Sequence, residues 1–141
     1  VICCEADQFK KQKLVETHWS KPPPHAPQQK HGVLVITSTT GNGDVPENAG
    51  RFVRFLKRKT TVEQQPFQHV AYATLGLGDT NYDQFCATAK IVDKKMMELG
   101  GTRIQPLECA DEGTGNLESV VDPWVNTILY TITKACRGEK E

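Results

Sequence analysis

Apolar residues gather in two runs, Val33 to Ile36 and, broken only by Thr74, Val70 to Leu75, and each stops in a small, polar, Gly-bearing segment. Runs of this kind suit strands of a parallel sheet that is buried on both faces. They predict a strand over Val33–Ser38 and another over Val70–Leu75. Between and after them the apolar spacing becomes helical. Phe52, Val53, Phe55 and Leu56 mark one helix, and a second runs from about Tyr82 to Leu99, where Gly100-Gly101 is a natural stop. A third includes Trp124, Ile128, Leu129 and Ile132, with Pro123 either in its first turn or kinking a longer helix. Arg103–Leu107 predicts a shorter strand, Val1–Glu5 a short opening one, and Phe9–Val15 a weak helical turn. The order β, linker, β, α, β, α, β, α predicts an α/β, doubly wound three-layer sandwich with a parallel sheet.

Composition narrows the function. The chain has 141 residues, 38% of them hydrophobic, enough for one domain with a real core. Seventeen basic and 17 acidic side chains leave no net charge, which argues against a nucleic-acid partner. The basic run Arg51, Arg54, Lys57, Arg58 and Lys59 interleaves with apolar positions and reads as a solvated helix face. No apolar run approaches the roughly 20 residues of a membrane span, so no membrane contact is expected within this segment. Five cysteines, an odd number without a CxxC pair, read as reduced thiols of a cytoplasmic protein and not as a disulfide scaffold. Cys3-Cys4 reads as a pair of small residues in or near a strand. The four histidines show no metal-ligand spacing with the cysteines, so no metal is expected. The Pro-rich stretch from Lys21 to about His31 reads as an extended surface insertion.

The chemistry sits in the segments that end the strands. Thr39–Asp44, Leu77–Cys86 and Glu108–Asn116 are predicted to meet at one edge of the sheet, the ligand edge of open α/β folds. Glycines 41, 43, 76 and 78 let backbone approach a ligand closely. Tyr82 offers a flat face and Phe85 an apolar wall, which together suit a planar conjugated ring. No GxSxG or other nucleophile–base grouping is visible, so no catalytic residue is assigned. A bound cofactor would have to carry any chemistry.

In combination, Ser38-Thr-Thr-Gly-Asn-Gly-Asp44, Leu75-Gly-Leu-Gly-Asp-Thr-Asn-Tyr-Asp-Gln-Phe85, Lys90-Ile-Val-Asp-Lys-Lys95 and Glu98-Leu-Gly-Gly101 resemble the FMN domain of the diflavin reductases. The NADPH–cytochrome P-450 reductase and methionine synthase reductase type is the best match, over about Val33–Trp124. The resemblance implies a flavodoxin-like fold, a single FMN-binding domain over 1–141 with a tail from 136, and bound FMN. Ser38, Thr39, Thr40, Gly41, Asn42 and Gly43 would form the first loop. Leu77, Gly78, Asp79, Tyr82, Gln84, Phe85 and Cys86 would form the second, with Tyr82 on the flavin ring. Asp111, or Glu112 if the alignment gap falls differently, matches the family's acidic third loop.

Thr40 stands where many relatives carry an aromatic, and the neutral charge predicts modest steering of partners. The resemblance also implies FAD and NADPH in other domains, in cis or trans, and a haem or cobalamin protein as electron acceptor. The family's first strand, phosphate loop and first helix would precede Val1, which predicts a gap inside the sheet and reads as a fragment, with a membrane anchor possible only upstream. The rival reading is a flavodoxin-like interaction scaffold that does not bind FMN.

Overall fold

The computed structural model describes residues 2–39, 43–81 and 84–138. Its sheet is parallel throughout. Strand β1 (His31–Ser38) pairs with β2 (Val70–Gly78) over eight residues, from His31 opposite Val70 to Ser38 opposite Leu77. The far side of β2 carries two short strands in line, β3 (Thr102–Arg103) beside Ala71 and Tyr72, and β4 (Glu108–Asp111) beside Leu75 to Gly78. Helices α1 (Gly50–Lys57), α2 (Lys59–Gln64) and α3 (Ala87–Glu98) fall between the strands, and α4 (Leu117–Cys136) closes the order.

Alternation along β2 assigns the faces. Val70 and Tyr72 join Phe52, Val53, Leu56, Val92, Met96 and Leu99 in one core, beneath α1 and α3. Ala73 and Leu75 join Trp124 and Ile128 of α4 in a second core on the opposite face. The three-layer arrangement expected from the strand–helix alternation is therefore present. Strand β2 is its centre, with every residue from Val70 to Gly76 buried.

Several sequence-based boundaries are corrected. Ile2–Glu5 forms no strand and lies exposed, Cys3 and Cys4 included. The stretch predicted as one strand over Arg103–Leu107 is instead the break between β3 and β4; Pro106 has no N–H to donate to the ladder there. Strand β1 is a half-buried edge strand, with Ile36 54% exposed, and the predicted gap inside the sheet does not exist. A strand preceding β1 would add at its outer edge, where none lies among the described residues. The second helix starts at Ala87, five residues later than predicted, and Pro123 lies inside α4, in its second turn. Trp124, Ile128 and Ile132 face inward at four-residue spacing, but Leu129 is 67% exposed. The basic run is exposed as expected, and Lys21–Lys30 forms surface turns where extended chain was expected.

The least expected feature is the amino-terminal segment. A 3₁₀ turn at Ala6–Phe9 and a π-helical turn at Val15–Trp19 bury Phe9 and Trp19. Phe9 lies 4.9 Å from Phe55 and Trp19 lies 5.1 Å from Phe67, ring centre to ring centre. Asp7 Oδ1 accepts the Phe52 N–H at 2.9 Å, in the first turn of α1, whose own N-cap residue Ala49 offers no side-chain acceptor. Asp7 thus caps a helix more than forty residues away. An Asp7→Ala variant is expected to lose about 1 kcal/mol of stability in urea unfolding, the usual value of an N-terminal cap.

Candidate functional site

The register brings three chain segments to one edge. Ser38 lies opposite Leu77, Leu77 opposite Ala110, and Gly78 opposite Asp111. The segments that leave β1, β2 and β4 therefore emerge together at the carboxyl ends of the strands, the ligand edge of an open parallel sheet. Side chains then tie the three loops to one another.

The first loop is fastened to α3. Thr39 Oγ1 accepts the Thr88 N–H at 3.0 Å, an otherwise unpartnered donor of the first helical turn. Gly43, at φ +98°, packs against Gln84, whose Cβ and Cγ lie 2.8 Å from the place a Gly43 side chain would occupy. A larger residue there would push the first and second loops apart.

The second and third loops are tied through Asp111. Its Oδ1 accepts the N–H groups of Thr80 and Gly113, both at 2.9 Å, and its Oδ2 accepts the Thr80 hydroxyl at 2.7 Å. The Asp111 N–H donates to Asn116 Oδ1 at 2.6 Å, and the Glu112 N–H to the Gly78 carbonyl at 2.8 Å. Asp79 Oδ1 accepts the Asn81 N–H at 2.8 Å and closes the turn that follows β2. Gly113 lies directly against the side-chain ends of Asp79 and Asn81, which a larger residue there would have to displace.

Burial raises the Asp111 carboxyl. The bonds donated by Thr80, Gly113 and Thr114 outweigh that effect and hold it below the ordinary aspartate range. A lowered folded-state value means that Asp111 stabilises the fold above the ordinary value of 3.8 and ceases to do so as pH falls through the lowered one. Protection of the Thr80 and Gly113 amides from hydrogen exchange, relative to their intrinsic rates at each pH, is expected to fall over that acid window. In Asp111→Asn that protection is expected to be low already at neutral pH and to change little with acid.

The predicted site residues therefore divide. Ser38, Thr39, Gly43, Leu77, Gly78 and Asp79 line the converging strand ends, half-buried. Gln84 and Glu112 are exposed, and the Phe85 ring lies against Gly78 with Lys90 Nζ 5.7 Å from its centre. The Asp111 carboxylate holds backbone and Thr80, so its part is to position loops. Cys86 is buried, with its sulfur under Gly76 and Gly78. Burial and the neighbouring Cys109 thiol push it up to about 12, so it remains a thiol at neutral pH. Thr40, Gly41, Asn42 and Tyr82 lie outside the described residues. Sequence reasoning missed Thr80, Gly113 and Asn116 as clamping residues; closely spaced Asp, Asn, Thr and Gly, with their turn chemistry, were the signal.

No group of three or more His, Cys, Asp or Glu suited to a metal occurs among the described residues. No described helix is long and apolar enough to cross a membrane. A cavity of about 270 Å³ lies along the outer edge of β1, between Cys4, Ile36 and Phe52. None of the predicted site residues lines it.

The flavodoxin family profile matches residues 6–124, which take in the first core, the second core but for Ile128, and all three loops. The chain belongs to the flavodoxin family. A solved flavodoxin-family structure, a cysteine-to-serine mutant of flavodoxin from Pseudomonas aeruginosa, is 27% identical and superposes with a TM-score of 0.59. The match covers 72% of this chain and 67% of that one. Among curated relatives, methionine synthase reductase of Bos taurus is 41% identical over 102 residues, which are 72% of this chain and 14% of that protein. The sulfite reductase [NADPH] flavoprotein alpha-component of Thiocapsa roseopersicina is 41% identical over 88 residues, 61% of this chain and 16% of its own length. The chain thus spans about a seventh of the curated relatives it matches.

Proposed function

We propose that this chain is the FMN-binding electron-transfer domain, over 1–141, of an NADPH-dependent diflavin oxidoreductase. It would take electrons from an FAD/NADPH module, in cis or trans, and pass them to a haem or cobalamin protein. The observation that carries the reading is the clamped convergence of the three loops at the carboxyl edge of a flavodoxin-family sheet. Similarity to methionine synthase reductase and to a sulfite reductase flavoprotein supports it. Five free cysteines support a cytoplasmic setting.

The described residues fit such a ring. Gly43 and Gly113, with no side chain of their own, let the side chains of the second loop pack directly against the first and third, and such glycines also let backbone come close to a ligand. FMN, when bound, supplies the redox chemistry by taking up and releasing electrons. The protein's part is placement and electrostatics. Thr39 and Asp111 hold the loops in register, Phe85 provides an apolar wall, and Asp79 and Glu112 make the rim acidic. Tyr82 supplies the ring-stacking face in this reading.

Titration with FMN, followed by quenching of flavin fluorescence, tests the proposal. Tyr82→Ala is expected to weaken binding by about 1–3 kcal/mol, the worth of a buried aromatic with a stacking partner. An unchanged dissociation constant removes Tyr82 from the site. A chain that folds but neither quenches FMN nor shifts its visible spectrum would favour the scaffold reading.

A further inference from the structure

Two thiols that lie far apart in sequence meet beneath the second loop. Cys86 precedes α3 and Cys109 lies in β4, directly opposite Gly76 of β2. Residues paired across parallel strands point to the same face, so Cys109 points to the face on which α3 packs. The absent Gly76 side chain leaves the space. Its Cβ would lie 3.0 Å from Cys86 Sγ, 3.5 Å from Cys109 Sγ and 2.7 Å from the Ala89 Cβ of α3. Both sulfurs thus border the same small space beside Gly76. Their exposure is unequal, with Cys86 buried and Cys109 half-buried.

We propose that Cys86 and Cys109 are a redox-active dithiol that closes to an intramolecular disulfide under hydroperoxide. Cys109 is reached first, being the more exposed sulfur. Its thiol attacks the peroxide O–O bond and becomes a sulfenic acid, releasing one water. The Cys86 sulfur then attacks Cys109 sulfur and forms the S–S bond, while the hydroxyl leaves as a second water with the Cys86 proton. Two thiols and one hydrogen peroxide give one disulfide and two waters, and a dithiol reductant reverses the change. The bond would fasten the start of α3 to β4 and so fix the second loop against the third. This assignment is independent of whether the chain binds FMN.

Peptide mapping of the full chain tests it. The protein is treated with hydrogen peroxide, quenched, denatured, alkylated with iodoacetamide and digested. The expected result is that the Cys86 and Cys109 peptides leave as one cross-linked species, two hydrogens lighter than the free pair, and separate on treatment with dithiothreitol. Three results would overturn the proposal. One is Cys109 recovered as sulfinic or sulfonic acid while Cys86 is alkylated. Another is both thiols alkylated at a dose that oxidises exposed Cys3 or Cys4. The third is cross-links confined to Cys3, Cys4 and Cys136. In Cys109→Ser, with folding checked by circular dichroism, Cys86 is expected to stay alkylatable. Oxidation of Cys86 in that variant as fast as in the parent would also exclude Cys109 as its partner.

Discussion

A Gly76→Val variant is expected to lose about 3 kcal/mol of stability, the upper range for overpacking a filled core. Gly76 lies buried in the middle layer, where Ala89 of α3 packs directly over β2. Even a methyl at this position would stand 2.7 Å from Ala89 Cβ. Ala89 cannot rotate away, because its Cβ is fixed to the helix backbone, so α3 itself has to move. The same displacement would carry Thr88 away from Thr39 and loosen the first loop. Gly50 provides the opposite case. Its φ is −61°, it opens α1, and a methyl added there would meet only the flexible end of Arg54, at 3.5 Å. Gly50→Ala is expected to stabilise the fold by about 0.5–1 kcal/mol through the unfolded chain's lost freedom. Urea unfolding of the two variants should move the midpoint in opposite directions. Equal shifts would mean that helix–sheet distance at Gly76 is not what limits the packing.

The parts that the amino-acid pattern made legible are those in which neighbours in sequence are neighbours in space. Val70–Leu75 is apolar at every step but Thr74 because both of its faces are covered, and it forms the central strand. The loops after β1 and β2 announce themselves by glycine. Legibility failed where the partner is remote. Neither α1 nor α3 has a local side-chain cap, since Asp7 and Thr39 serve them from distant segments. Phe9 and Trp19 sit among polar residues with no apolar pattern around them, yet both complete the core under α1. Strand β1 is as apolar as a central strand, and nothing local distinguishes it from one. Its half-burial follows from the absence of a strand beyond it among the described residues. For the site, residue types located the loops correctly, but the Asp111 clamp required knowledge of which donors would face it.

Arg103→Met is expected to destabilise the protein by about 3 kcal/mol at neutral pH, the low end for breaking a buried ion pair because Arg103 is partly reached by water. Arg103 Nη2 lies 2.6 Å from Asp93 Oδ2, with the arginine side chain 32% exposed and the aspartate only 7%. Asp93 lies on α3 and Arg103 on β3, so the pair fixes the helix to the sheet's far side, while Tyr72 donates its hydroxyl to the Asp93 carbonyl at 2.7 Å. Burial already raises the Asp93 carboxyl; Arg103 opposes the rise. Without Arg103 the folded-state value climbs further above the unfolded one. A raised carboxyl value means that the folded form binds the proton more tightly, so the stability loss is absent below the unfolded value and grows as pH rises to the folded one. The difference between variant and parent should therefore shrink when unfolding is measured near about pH 4 rather than pH 7. Asp93→Asn in the same background should recover much of the loss at neutral pH, since it removes the charge that Arg103 had answered. A deficit that ignores pH and is not relieved by Asp93→Asn would show that Arg103 acts through its aliphatic stem, packed across the sheet edge, and not through its charge.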